Sequence, residues 1–267
     1  MIKLSTPIFT VNANNDPTKT LTLRTKFAND VSGRFNKVRA SVNNYVKNIE
    51  ENGFIFETDV QKLEQFNIWL QQQIDTDILA VSDLTPWTDE YIQKGYQSGT
   101  KHGLNELGKA GYNDLLTIEQ SLALPVNRES LQLLYTRTYV GLEGITTSMA
   151  TQMSRILAEG FANGTNPNDI ARTMSNSIDK INRTRAKVLA RTEIINAHAN
   201  ATLNNYELAG VEEVNVIPEW LTAGDSRVCP ICKALSQQSY TLESAKGMIP
   251  AHPNCRCAWT PKVVRDK

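Results

Sequence analysis

All four cysteines of this 267-residue chain fall between positions 229 and 257, in a stretch too poor in apolar sequence to build a core of its own. Cys229-Pro230-Ile231-Cys232 is a pair with a two-residue gap, and His252-Pro253-Asn254-Cys255-Arg256-Cys257 begins twenty positions later. The first spacing suits a tight knuckle with two thiolates aimed at one ion, and His252 to Cys255 repeats it. From Thr222 to Pro261 the texture is turn-rich, with no helical stripe long enough to bury a face. A segment of this kind needs a staple. Thiolate and imidazole donors together select zinc over magnesium or calcium, and structural zinc contributes about 10–16 kcal/mol of apparent binding energy to small peptides. The alternatives are two reduced cysteine pairs in an ordinary small fold, or disulfides.

Cys229, Cys232, His252, Cys255 and Cys257 are five candidates for four positions. The expectation is that Cys255 and Cys257 face opposite ways, so that one coordinates and the other packs. Cys255 is favoured because it repeats the His252 spacing, and Cys257 stays open. A catalytic zinc is disfavoured. A nucleobase deaminase needs His-x-Glu ahead of Pro-Cys-x-x-Cys, whereas His198 is followed by Ala199 and Asn200, and Pro230 follows Cys229. The metalloprotease string His-Glu-x-x-His is absent, and His102, His198 and His252 are the only histidines. A closed four-ligand site leaves no position for water. No enzymatic activity is expected.

Upstream, helical periodicity dominates. Residues 1–20, rich in Asn, Thr and Pro, read as an extended or loosely held arm. Residues 20–50 carry Leu21, Phe27, Val31, Phe35, Val38, Val42, Tyr45 and Ile49 at mostly three- and four-residue steps. A second helix starts at Thr58 with Gln61 completing a capping box; its stripe runs through Val60, Leu63, Phe66/Asn67, Leu70, Ile74, Ile78 and Val81, with Asn67 its weak point. Thr85-Pro86 reads as a third start, ending near Gly108–Gly111. Thr117–Gln120 reads as a short capped turn, and Pro125 as a boundary. Asn127 reads as the cap of a helix stopped by Gly160, with Gly141 and Gly144 inside it marking a bend or a close contact. Asn166-Pro167 starts another helix, to about Ile178, and a last one runs from near Asn182 to Ala209, stopped by Gly210. Val211–Trp220 and Ala258–Val264 are β-prone.

The formal net charge is zero, which removes the easiest argument for nucleic-acid binding. One local feature runs against it. Lys180, Arg183, Arg185, Lys187 and Arg191 face no acid within 180–191, and Arg183, Lys187 and Arg191 fall at four-residue steps on one helical face. Such a face contacts phosphate, meets an acidic partner surface, or is simply solvated. Arg256, between two ligand candidates, reaches a phosphate or pairs with an acid. Trp220 and Trp259 are expected to seal the module as core aromatics, and Asp225 to serve the turn before Cys229. No stretch approaches the roughly 18 apolar residues of a membrane span, and the first ten residues hold no signal-peptide core. A soluble, cytoplasmic protein with reduced thiols is expected.

The string Trp220-Leu221-Thr222-Ala223-Gly224-Asp225-Ser226-Arg227-Val228-Cys229-Pro230-Ile231-Cys232, followed by Ile249-Pro250-Ala251-His252-Pro253-Asn254-Cys255-Arg256-Cys257, resembles the C-terminal signature of the tailed-phage minor head protein family, the Mu F-like head morphogenesis proteins. Ala190-Arg191-Thr192-Glu193 with Asn196 and Asn200 is similar to the same family's helical signature, as is the preceding helix with Gly160 and Ile170-Ala171-Arg172. The likeness covers about 128–262. It implies a minor capsid protein at the portal vertex that aids procapsid assembly and genome packaging or delivery. Its implied partners are the portal protein, capsid and scaffold proteins and, in some members, double-stranded DNA. The implied location is the virion, in the capsid interior or at the portal vertex, with assembly in the host cytoplasm.

The fold expected is mainly α: an elongated helical body with a small C-terminal β-containing zinc-knuckle module. The expected divisions are an arm (1–20), an N-terminal helical region (21–125), the helical part of the head-morphogenesis domain (126–210) and the zinc-binding α+β module (211–267).

Overall fold

A computed structural model of the chain describes residues 16–49, 58–112, 115–210 and 215–264. Its elements in order are α1 (Leu21–Lys47), α2 (Asp59–Gln73), β1 (Val81–Ser82), β2 (Thr85–Pro86), α3 (Asp89–Lys109), α4 (Ile118–Ala123), α5 (Pro125–Ala162), α6 (Pro167–Ile181), α7 (Lys187–Gly210), β3 (Asn215–Leu221), α8 (Pro230–Leu235), α9 (Leu242–Ala245) and β4 (Ala258–Val264). The chain is mainly helical, as its periodicity predicts. It forms two compact units that interleave in sequence. One takes residues 22–94 and 129–194, the other 1–21, 95–128 and 195–267. Compactness therefore divides the chain differently from texture, and α3, α5 and α7 each contribute to both units.

Among the described residues, the regular elements of the first unit are helices and one small hairpin. The stripe of α1 is buried from Phe27 to Val46, as spaced, while Leu21 stays 61 % exposed. Thr58 caps α2 with Gln61 reciprocating. Phe66, Leu70, Ile74 and Ile78 bury its face, whereas Val60 in the first turn and Val81 in the hairpin beyond the helix are exposed and do not belong to it; Asn67 also lies outside it, accepting a hydrogen bond from the Ser154 hydroxyl. The expected helix start at Thr85-Pro86 is wrong. Those residues pair with Val81-Ser82 across a two-residue turn in which Asp83 and Leu84 take φ of 49° and 63°, and the helix begins at Asp89. The Trp87 indole N–H donates to the Ile78 carbonyl at 2.8 Å, pinning the hairpin from inside.

Two other local expectations fail for related reasons. Gly160 does not stop α5, which runs to Ala162; the left-handed residue is Gly164, at φ 59°. Gly160 instead admits Ile170, whose Cδ1 would lie 2.4 Å from an added Cβ. Of the two interior glycines, Gly141 faces Leu189 and Gly144 faces open space. Asn182 starts nothing: α6 continues through a π turn, Asn182–Ala186, into α7, and the Asn182 amide donates to Ser32 Oγ at 3.0 Å.

In the second unit α3 meets α7 along glycines. An added Cβ at Gly99 would overlap the His198 backbone, and one at Gly103 would touch Thr202 and Asn205. Asn127 is not a cap, because α5 already begins at Pro125. Its buried amide accepts from Tyr96 Oη at 2.6 Å and donates to the Ser121 carbonyl at 2.7 Å. Residues 16–20 are no loose arm either: Thr18 and Thr20 are buried and their hydroxyls bond each other at 2.7 Å. Residues 1–15 lie outside the described residues, as do 211–214 of the expected first strand. Strands β3 and β4 pair antiparallel with Trp220 opposite Trp259. The core of this unit gathers Leu107 from α3, Ile195, Leu203 and Tyr206 from α7, and both tryptophans with Cys232, Cys255 and Cys257. The small module is thus built on helical side chains as well as on its own.

Candidate metal centre

The first knuckle is made by a helix start. Cys229 precedes α8 and its sulfur accepts the Cys232 N–H at 3.4 Å, while Pro230 occupies the first turn, where a missing N–H costs nothing. The same turn brings the two sulfurs to one side. The second knuckle is a tight turn in which Cys255 N–H donates to the His252 carbonyl at 3.1 Å and Asn254 takes φ 61°. Asn tolerates that left-handed conformation better than most residues.

The two knuckles face each other. His252 Nε2 lies 3.2 Å from Cys229 Sγ and 3.2 Å from Cys232 Sγ. Its other nitrogen, Nδ1, lies 2.8 Å from the Pro253 carbonyl. A carbonyl only accepts, so Nδ1 carries the proton and Nε2 presents its lone pair to the two sulfurs. That is the tautomer a metal requires, held by the local backbone. Cys232 and Cys255 sulfurs are 3.9 Å apart. Zinc with sulfur at about 2.3 Å and nitrogen at about 2.0 Å sets tetrahedral edges of roughly 3.5–3.8 Å; the nitrogen–sulfur separations are about 0.3 Å shorter than that and the sulfur–sulfur separation about 0.1 Å longer, so only a small adjustment would seat the ion. Among the described residues, two donor groups close to within 4.8 Å, Cys229–Cys232–His252 and Cys232–Cys255–Cys257, and Cys232 belongs to both. All four cysteines are free thiols in this structure.

The expectation that Cys255 and Cys257 face opposite ways is overturned. Side chains two residues apart along an extended chain share a face, and the intervening Arg256 points away to Asp225. Both sulfurs therefore lie on the Cys232 side, buried. Packing changes their acidity. The hydrogen bond from Cys257 brings the Cys255 thiol down to about 5, outweighing burial, and burial lifts Cys232 to about 12. Cys257 is raised, first by its bond to Cys255 and then by burial. Sulfurs this close cannot all ionise alone, and a divalent cation among them would remove the repulsion.

An ion pair ties the two knuckles outside the sulfur cluster. Arg256 donates in bidentate fashion to Asp225, Nη1 to Oδ2 at 2.8 Å and Nη2 to Oδ1 at 2.6 Å. Asp225 also accepts the Arg227 backbone N–H at 3.0 Å, the turn role expected of it. This pairing, first through Arg256, holds the Asp225 carboxyl well below the usual carboxylate range. Arg256 is thus committed to an acid, not offered to a phosphate. No feature of the sequence marks a partner 31 residues away. Trp220 and Trp259, both buried, meet edge to face at 5.3 Å and 83°, as expected of core aromatics. The Trp259 carbonyl accepts from His102 Nε2 at 2.9 Å and Tyr206 Oη at 3.2 Å, which joins β4 to α3 and α7.

The basic stretch lies in the other unit. Arg183 and Arg191 are exposed and Lys187 is half-buried; Arg183 sits on the π turn. Arg185 donates to Ser148 Oγ at 3.1 Å. Glu193 receives Arg137 at 3.0 Å.

Residues 151–260 match the family described as Phage Mu protein F like protein. The match runs from the last third of α5 through both knuckles into β4, so the resemblance read across 128–262 is borne out over residues 151–260, and this part of the chain is similar to that family. No curated protein and no solved structure matches the chain. No helix among the described residues is long and apolar enough to cross a membrane.

Proposed function

We propose that this chain is a phage minor head protein, a non-enzymatic assembly factor. It associates with the portal vertex, aids procapsid assembly and genome packaging, and is carried in the virion. Its C-terminal module is stapled by one structural zinc held by Cys229, Cys232, His252 and a thiolate of the Cys255–Cys257 pair. The observation that carries the reading is the placement of His252 Nε2 between two thiols inside the Mu F-like region. Four protein donors leave no position for a water nucleophile, which favours a structural ion over a catalytic one. The fixed face the module presents would dock on other head proteins.

The test is co-expression with the portal protein of the same phage, followed by sedimentation of portal rings and metal analysis of the same fraction. The expected result is co-sedimentation, with zinc near stoichiometry. A chain that ignores both portal rings and procapsids would sink the head-protein reading, and a metal-free chain would sink the zinc.

A further inference from the structure

Two surfaces of the unit built from residues 22–94 and 129–194 carry charge of opposite sign, and among the described residues no ion pair joins one to the other. The first is a groove of about 590 Å³ between the β1–β2 hairpin, the first turn of α3 and α5. Asp89, Glu90, Tyr135, Tyr139, Leu84 and Val140 line it, and among the described residues of its wall there is no lysine or arginine. Glu90 pairs with Lys94 one turn along α3. Asp89 is half-buried and meets only the Thr88 hydroxyl, at 3.4 Å. Burial raises its carboxyl above the ordinary value, as it does when no cation stands opposite. Tyr135 is raised by burial and then by the Asp89 charge, and Tyr139 by burial and then by Glu143 and Asp75, so negative potential fills the groove. Leu84 at the hairpin tip is 96 % exposed and Val140 is 55 % exposed. The second surface is the basic face where α6 passes into α7. Lys180, Arg183, Arg185 and Arg191 are exposed and Lys187 is half-buried. The acids that flank this stretch are taken: Asp179 by Arg39 at 2.7 Å and Glu193 by Arg137 at 3.0 Å.

We infer that the two surfaces meet between copies of this chain: the basic face of one copy docks on the Asp89–Glu90 groove of a second, with an arginine side chain filling the groove. A guanidinium supplies what the groove lacks. It pairs with a carboxylate through two parallel hydrogen bonds and stacks on tyrosine. Exposed ion pairs by themselves contribute little. Here the carboxylate is already half out of water, and Leu84 and Val140 would shed their own water around the pair, which strengthens the attraction. Both signs of charge lie in one unit, so a second copy offers each surface its complement without a further protein. The two patches differ, so the contact is head-to-tail, and each copy keeps one patch free for the next.

The full chain is tested by sedimentation velocity over a concentration series at low and high salt. Wild-type protein should self-associate at low salt and come apart as salt rises, because ion pairs at a surface are screened. Asp89→Lys combined with Glu90→Lys should weaken self-association at least about tenfold, and so should Arg183→Glu combined with Arg191→Glu, since each sets like charges face to face. An equal mixture of the two variants should associate again, because one brings an intact groove and the other an intact basic face. Carbodiimide coupling of mixed isotope-labelled and unlabelled wild-type protein should join Lys180 or Lys187 of one copy to Asp89 or Glu90 of another, a readout that needs no variant to fold. A wild-type chain that stays monomeric at low salt overturns the inference. A mixture that stays apart, with both variants keeping the wild-type far-UV circular dichroism, overturns it too, and where a variant misfolds, coupling between copies that joins only other residues does so. Self-association unmoved by the groove variant, with duplex DNA held by the basic face instead, also overturns it.

Discussion

The crossing of α3 and α7 at Gly99 gives a quantitative test of the packing described here. A Cβ added at Gly99 would lie 2.1 Å from the His198 carbonyl oxygen, 2.7 Å from its Cα and 2.8 Å from its carbonyl carbon. These are backbone atoms of a buried helix turn and cannot rotate away. Reaching ordinary contact requires the helices to part by about 1 Å, which strains the Thr202 hydroxyl bond to the Gly99 carbonyl, now 3.2 Å. Overpacking of this kind costs about 1–3 kcal/mol, and the better helix propensity of alanine returns up to about 1 kcal/mol. Gly99→Ala should therefore destabilise by about 1–2 kcal/mol, a fall of roughly 2–8 °C in Tm for a domain of this size. Gly144→Ala is the control. The same substitution in α5 meets nothing within 4 Å and should stabilise by up to about 1 kcal/mol. Thermal unfolding followed by far-UV circular dichroism reads both. If Gly99→Ala melts at or above the wild-type temperature, the close approach of the two helices is wrong.

Three further outcomes follow from the site and its surroundings. Chelation, or His252→Ala, should abolish the near-UV circular dichroism of the Trp220–Trp259 pair while most far-UV helix signal remains, since the ion contributes on the order of 10 kcal/mol to a module of this type; an unchanged near-UV spectrum would contradict a structural ion. Burial holds the His102 imidazole below its ordinary 6.5, so the unfolded chain binds the proton more readily. The stability this confers is fully present above pH 6.5 and is lost as pH falls toward the folded value; His102→Gln should flatten that decline in urea titrations, and an unaltered slope would refute the assignment. If the basic stretch contacts DNA, affinity measured by fluorescence anisotropy should fall steeply with salt, and replacing Arg183, Lys187 and Arg191 by Gln should lower the log–log slope by about 2–3; absence of binding at low salt would end that reading.

Much of the chain was legible because the governing interactions are local. The capping boxes at Thr58–Gln61 and Thr117–Gln120 form as spaced, since donor and acceptor lie three residues apart and the backbone alone brings them together. The same holds for the Cys229–Cys232 knuckle and for the cap Asn166 makes ahead of Pro167. Thr85-Pro86 carries equally good local credentials as a helix start, yet it forms a strand, because the Trp87–Ile78 bond and the turn at Asp83-Leu84 outweigh a preference worth about 1 kcal/mol. Asn127 likewise gives up a capping role for a buried bond to Tyr96, a residue 31 positions away. Spacing could name five candidate metal donors but could not order them. That needed the Arg256–Asp225 pair, which turns both Cys255 and Cys257 toward Cys232 and whose partners are 31 residues apart. By itself the sequence determined most of the buried helical stripes, the capping boxes at Thr58 and Thr117 and the candidate donors, all matters of neighbours within a turn or two. Tertiary structure alone decided which glycines are contacts, which polar groups are buried, and which way each sulfur faces, because those depend on chain segments that meet only after folding.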